Sequence, residues 1–108
     1  LDMTNDDRAV ILDNCKRVPE SQIVITHGTD TMTDTARIIA NGNIEKTIIL
    51  TGAMIPYKFG SSDGLFNFGG ALAFAQSLPP GVYIAMNGRY FDWDKVKKNR
   101  KTGVFEEL

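Results

Sequence analysis

Three short runs rich in β-branched residues, Gln22 to Thr26, Thr47 to Leu50 and Val82 to Met86, are separated by helix-length segments, which leaves the chain few folds to choose from. Parallel neighbours in a sheet need a connection of a dozen or more residues, an α-helix meets that need, and the crossover is right-handed. The order α-β-α-β-α-β therefore predicts an α/β fold, a parallel sheet flanked by helices. The strand runs are unbroken by charge, as expected of strands covered on both faces.

Local signals set the helices. Thr4 followed three positions later by Asp7 has the form of a capping box, and Ile11, Leu12, Cys15 and Val18 keep a helical spacing until Pro19. This predicts a first helix over residues 5–17. Met32, Thr35, Ala36, Ile39 and Ala40 share one stripe that stops at Asn41-Gly42, predicting a second. A loop is expected between Pro56 and Asp63, and beyond it Leu65, Phe66, Phe68, Leu72, Ala73, Phe74 and Ala75 cover more than one side of a third helix. That helix is expected to be well buried. Gly69 and Gly70 inside it cost about 1 kcal/mol each relative to alanine, so they are expected to pack closely against a neighbouring element. Pro79-Pro80-Gly81 ends the helix, and the polar and aromatic segment from Asn87 to Trp93 reads as a short hairpin or arm.

With 108 residues, 43% of them hydrophobic, and a formal net charge of -1, the chain is expected to form one domain around one core. No apolar run approaches the length of an ordinary membrane span, no secretory-signal pattern is visible, and the balanced charge argues against general nucleic-acid binding. Cys15 is the only cysteine, which excludes an intrachain disulfide or a cysteine metal cluster and suggests a reducing, cytoplasmic location. Because residue 1 is leucine, the chain is expected to begin inside a longer gene product.

The chemistry concentrates where the first strand run breaks off, at His27-Gly28-Thr29-Asp30-Thr31-Met32. In parallel α/β sheets ligands bind at the carboxyl ends of the strands, and the helix that follows offers unpaired N–H groups and a positive dipole end. Thr29 reads either as an ordinary N-cap or as a hydroxyl nucleophile, which would need a nearby base and donors for the oxyanion. Asp30 reads either as a first-turn carboxylate or as a fixed anion that pairs with a substrate ammonium or orients a proton carrier. His27, without a second imidazole or a cysteine partner, suits a structural hydrogen bond better than a metal. Lys95, Lys97, Lys98, Arg100 and Lys101 form a basic run whose default is a solvated face; one of them buried against the motif would serve as a base only as a neutral amine. Ser61-Ser62-Asp63-Gly64 is a further N-cap candidate, and no glycine cluster matches a phosphate-binding loop or a complete dinucleotide fingerprint.

Taken together, His27-Gly28-Thr29-Asp30-Thr31-Met32, Thr51-Gly52-Ala53-Met54, Ser62-Asp63-Gly64 with Asn67, and Met86-Asn87 with Lys98 resemble the bacterial-type L-asparaginase family, over nearly the whole chain. The resemblance implies a flavodoxin-like fold, the N-terminal α/β domain of such an enzyme over residues 1–108, incomplete at its N-terminal side and without the smaller C-terminal domain. It implies hydrolysis of the side-chain amide of L-asparagine, and in some members of L-glutamine, by a threonine hydroxyl with no metal or organic cofactor. By resemblance Thr29, Asp30 and Lys98 are the catalytic set: Thr29 positions or activates the attacking group, Lys98 carries protons, and Asp30 orients the lysine and pairs with the substrate's α-ammonium. Gly28, Thr29, Asp30 and Ala53 are implied substrate contacts, Ala53 through its backbone carbonyl to the side-chain amide. Asp2 and Met3 resemble the segment just after a substrate-binding serine. The family's first catalytic threonine, in a Thr-Gly-Gly-Thr-Ile type motif, has no counterpart in these residues, and after Lys98 the sequence Asn99 to Phe105 departs from the family's polar pattern.

Implied partners are the small substrate and further copies of the chain, with no nucleic acid or membrane. Two other functions share the motif: a non-catalytic amino-acid-binding or assembly module, and an amidotransferase subunit that hands ammonia to a partner. One methylene separates asparagine from glutamine, worth only about 1 to 3 kcal/mol, so the residues leave that choice open.

Overall fold

A computed structural model of the chain describes residues 3–55 and 62–108. Strands β1 (Gln22–Thr26), β2 (Thr47–Thr51) and β3 (Gly81–Met86) lie parallel in the order β1-β2-β3. Helices α1 (Asn5–Arg17), α2 (Met32–Asn41) and α3 (Gly64–Ser77) precede the three strands in turn. The expected alternation and the parallel sheet are present. The segment read as a hairpin or arm is strand β4 (Arg89–Asp92), which closes the sheet antiparallel to β3. Asn87 and Gly88 turn the chain there with φ of 57° and 77°, the two successive positive values that a tight two-residue hairpin requires.

Side-chain alternation along the strands builds two half-cores. Ile48, Leu50, Ile84 and Met86 face α1 and α2, where they meet Cys15, Met32, Ala36 and Ile39. Ile49, Tyr83 and Ala85 point the other way, onto Ala71 and Ala75 of α3. All five residues of β2 are buried, and each fully buried isoleucine or leucine contributes about 1.5 to 3 kcal/mol relative to exposure. The Thr4–Asp7 capping box of α1 is formed in both directions, at 3.1 and 2.9 Å. Gly42 ends α2 in a right-handed conformation, and the left-handed residue is Asn43, φ 52°. No described helix is long and apolar enough to cross a membrane.

Three expectations are corrected. Among the described residues β1 is the edge of the sheet, so Ile23 and Ile25 on one face and Val24 on the other pack against the core but are only half-buried. Helix α3 is not well buried: it sets Asn67, Ala71 and Ala75, a narrow i, i+4, i+8 stripe, on the sheet and leaves Leu65 at 72% and Phe66 at 65% exposed. Small residues let this helix lie close to the strands, and the bulky ones then point outward. Gly69 and Gly70 are not sites of close packing: among the described residues a methyl group at either position would meet no atom of another element within 4 Å.

An element without a sequence-based expectation completes the chain. Strands β5 (Val96–Lys98) and β6 (Phe105–Glu107) form a separate antiparallel pair, with Val96 and Phe105 buried against the α1/α2 side of the core. Lys97 and Glu106 stand opposite each other in register and pair at 3.8 Å, while Gly103, φ 77°, serves the turn between the strands.

Candidate active site

The carboxyl ends of the three parallel strands deliver Gly28-Thr29-Asp30 after β1, Gly52-Ala53 after β2 and Asn87 after β3 to one edge of the sheet. Gly52 is obligatory for this convergence, because a side chain there would collide with the backbone carbonyl of His27 and push the two strand ends apart.

Thr29 is not a cap. Helix α2 starts at Met32 with Thr31 in the cap position, and no side chain caps it, so the Thr29 hydroxyl is available for another partner. That partner is Lys98. Strand β5 alternates Val96 inward, Lys97 outward and Lys98 inward, and this places the Lys98 ammonium 2.9 Å from Thr29 Oγ1 and 2.5 Å from Asp30 Oδ1. The Lys98 side chain is 13% exposed, whereas Asp30 is 69% exposed and presents its other oxygen, Oδ2, without a protein partner among the described residues. Lys95, Lys97, Arg100 and Lys101 keep the exposed positions expected of the basic run, and only Lys98 among them is drawn out of solvent by the motif.

The hydrogen bond from Lys98, followed by its charge, holds the Asp30 carboxyl below the ordinary aspartate value; slight burial opposes this and Arg100 adds to it. Arg100 donates to the Asp30 carbonyl at 3.0 Å and stands 3.6 Å from Oδ1. Sequence reasoning gave Arg100 no individual place. Its only signal was membership of the basic run.

His27 has the structural role expected of it. Buried Arg8 donates through Nε to Thr35 Oγ1 at 2.9 Å, and Thr35 in turn lies 2.7 Å from His27 Nε2. With the Thr35 hydroxyl donating to Nε2, the proton of the ring sits on Nδ1, which donates to the Gly28 carbonyl at 2.6 Å. This chain of bonds fixes the peptide that leads into Thr29.

Asp63 stands at the N-cap of α3 but makes no capping bond. Its carboxylate turns back to accept the N–H groups of Met54 at 3.2 Å and Ile55 at 3.0 Å, and the Asn67 amide at 3.0 Å. Burial pushes this carboxyl up, but the bonds from Ile55, Met54 and Asn67 outweigh it and the net shift is downward. Ser62 accepts from the Gly64 N–H, while residue 61 and the Asp2 comparison lie outside the described residues. No group of three or more His, Cys, Asp or Glu side chains among the described residues is placed to hold a metal ion.

Residues 2–105 match the family model described as Asparaginase, N-terminal.

The chain belongs to the asparaginase family.

It is 37% identical to an L-asparaginase of Dirofilaria immitis over 97% of its own length and 19% of that protein's. It is 38% identical to a glutaminase-asparaginase of Pseudomonas aeruginosa over 78% of its length and 25% of that relative's. Among solved structures, the thermostable L-asparaginase from Thermococcus kodakarensis superposes with a TM-score of 0.89 at 29% identity, covering 98% of this chain and 34% of that one. The chain thus spans about a fifth to a third of the length of these asparaginase-family relatives. Its fold is that of the asparaginase N-terminal domain.

Proposed function

We propose that the protein carrying this chain hydrolyses the side-chain amide of L-asparagine to L-aspartate and ammonia, with L-glutamine as the neighbouring substrate. The observation that carries the reading is the convergence of the Lys98 ammonium on both Thr29 Oγ1 and Asp30 Oδ1 at the strand ends of an asparaginase-family fold. An amide is a poor electrophile with a poor leaving group. Its hydrolysis needs an activated oxygen nucleophile and a proton for the departing nitrogen.

In this reading Thr29 positions or activates the attacking oxygen, the Lys98 ammonium gives a proton to the leaving amine, and the proton released on attack restores the ammonium. A cation within hydrogen-bond reach of Thr29 Oγ1 lowers the cost of negative charge developing on that oxygen. Asp30, held ionised by Lys98, keeps the lysine in place through Oδ1 and offers Oδ2 to the substrate's α-ammonium. The Ala53 carbonyl accepts a hydrogen bond from the substrate's amide. Self-association, which the family resemblance implies, and a cytoplasmic location, which the single cysteine suggests, belong to the same proposal; light scattering and cell fractionation test the two.

The full-length protein, assayed for ammonia release with asparagine and with glutamine, tests the reading. Turnover of either amide, lost in Thr29→Ala, supports it. Binding of asparagine or aspartate without ammonia release would favour the amino-acid-binding module instead, and release that depends on an added partner and acceptor would favour the amidotransferase subunit.

A further inference from the structure

We propose that Asp63 and Asn67 are positioning residues that aim the Ala53 carbonyl at the substrate amide, and so decide that the site takes a carboxamide in preference to a carboxylate. The proposal rests on the amidohydrolase reading above and adds to it the device that sets amide selectivity.

Two peptide planes flank Ala53. A trans peptide is planar, with its C=O and N–H antiparallel, so fixing one end fixes the direction of the other. The N–H of Met54 belongs to the same plane as the Ala53 carbonyl, and Asp63 Oδ2 accepts it at 3.2 Å. The Ala53 carbonyl therefore points away from Asp63. The Gly52 carbonyl, in the plane on the other side, accepts from Asn67 Nδ2 at 2.8 Å, and Asp63 Oδ1 holds the next N–H, that of Ile55, at 3.0 Å. Both planes are gripped, and Ala53 lies between the grips.

The two gripping side chains are themselves fixed. Asn67 is 1% exposed; its amide nitrogen serves Gly52 and Asp63, and its oxygen accepts the Asn87 N–H at 2.9 Å. That last bond determines which way the amide is turned, and it ties the end of β3 to the end of β2. The Asp63 carboxylate gives up the N–H groups of its own helix to make these contacts. Gly52, seated against the His27 carbonyl, joins the same turn to the segment that carries Thr29. A carbonyl held this way accepts a hydrogen bond and cannot donate one, so it favours a substrate –NH2 and gives nothing to a product carboxylate.

Steady-state kinetics of the full-length protein and its Asp63→Asn variant, with L-asparagine as substrate and L-aspartate as competitive inhibitor, test this. Asparagine presents the amide that Ala53 reads, whereas both ligands present the same α-ammonium to Asp30. The expected result is a KM for asparagine raised at least tenfold with the inhibition constant of aspartate within twofold of wild type. An equal rise in both constants, as from general loosening of the fold, or no change in either, overturns the proposal. Should Asp63→Asn fail to fold, hydrogen exchange of the wild-type Met54 and Ile55 amides decides: protection of a hundredfold or more supports the grip, and exchange at the rate of an unstructured peptide overturns it. A wild type that releases no ammonia from either amide substrate refutes the amidohydrolase reading and takes this selectivity proposal with it. The exchange measurement then still reports whether the grip exists, so the two failures are distinguishable.

Discussion

Lys98 donates to Asp30 Oδ1 at 2.5 Å across 68 residues of sequence, with the amine largely buried and the carboxylate largely in solvent. The lysine is therefore the fixed member of the pair, and the aspartate is the member a ligand can reach.

This asymmetry sets the pH behaviour of Asp30. Its folded pKa lies below the ordinary value of 3.8, so the stability it contributes is fully present above that value and is lost as the pH falls through the depressed folded value. Melting temperature measured against pH should show a wild-type advantage over Asp30→Asn that is constant from about pH 5 upward and vanishes in stronger acid. An advantage that instead changed between pH 6 and 8 would assign the effect to another group.

Thr29→Ala removes the hydroxyl that Lys98 touches without removing the lysine. Its kcat on asparagine should fall by about 10²- to 10⁴-fold, the usual range for loss of a positioned proton-transfer group, with Thr29→Ser retaining more activity than Thr29→Ala. Steady-state ammonia release checks both.

Gly52→Ala places a methyl group into the His27 carbonyl. Forced overpacking of this kind costs about 1 to 3 kcal/mol, so the urea midpoint should drop accordingly, and KM for the amide should rise because Ala53 moves with the turn.

Thr35→Val keeps the shape of a buried residue but leaves Arg8 Nε and His27 Nε2 without their shared partner. The expected loss is on the order of 2 kcal/mol in a chemical denaturation curve, and Thr35→Ser should recover most of it.

The parallel sheet was legible in the sequence because β1, β2 and β3 are continuous apolar runs whose two faces are both used, as Ile48 and Ile49 show by packing on opposite sides. The direction of α3 was not. Its large residues suggested burial, but a helix close to a sheet is seated by its small stripe, here Asn67, Ala71 and Ala75, and composition alone does not say which stripe faces in. Only the family resemblance joined Lys98 to Thr29 and Asp30; the residue pattern by itself hid its setting, for a different reason. In a run of lysines the period-2 alternation Val96, Lys97, Lys98 looks like a solvated surface, and only the distant Phe105-Glu106 pairing turns it into a strand. Thr29 and Asp30 stood out by motif, yet their shared contact with an amine 68 to 69 positions away depends on that hairpin.

The most direct test of the account is the kcat/KM of the full-length protein for L-asparagine beside that of its Lys98→Ala variant, measured as ammonia release near neutral pH. Loss of at least a hundredfold, about 2.7 kcal/mol of transition-state stabilisation, is the result the Thr29–Lys98–Asp30 arrangement predicts. A variant that turns over asparagine at the wild-type rate would contradict it.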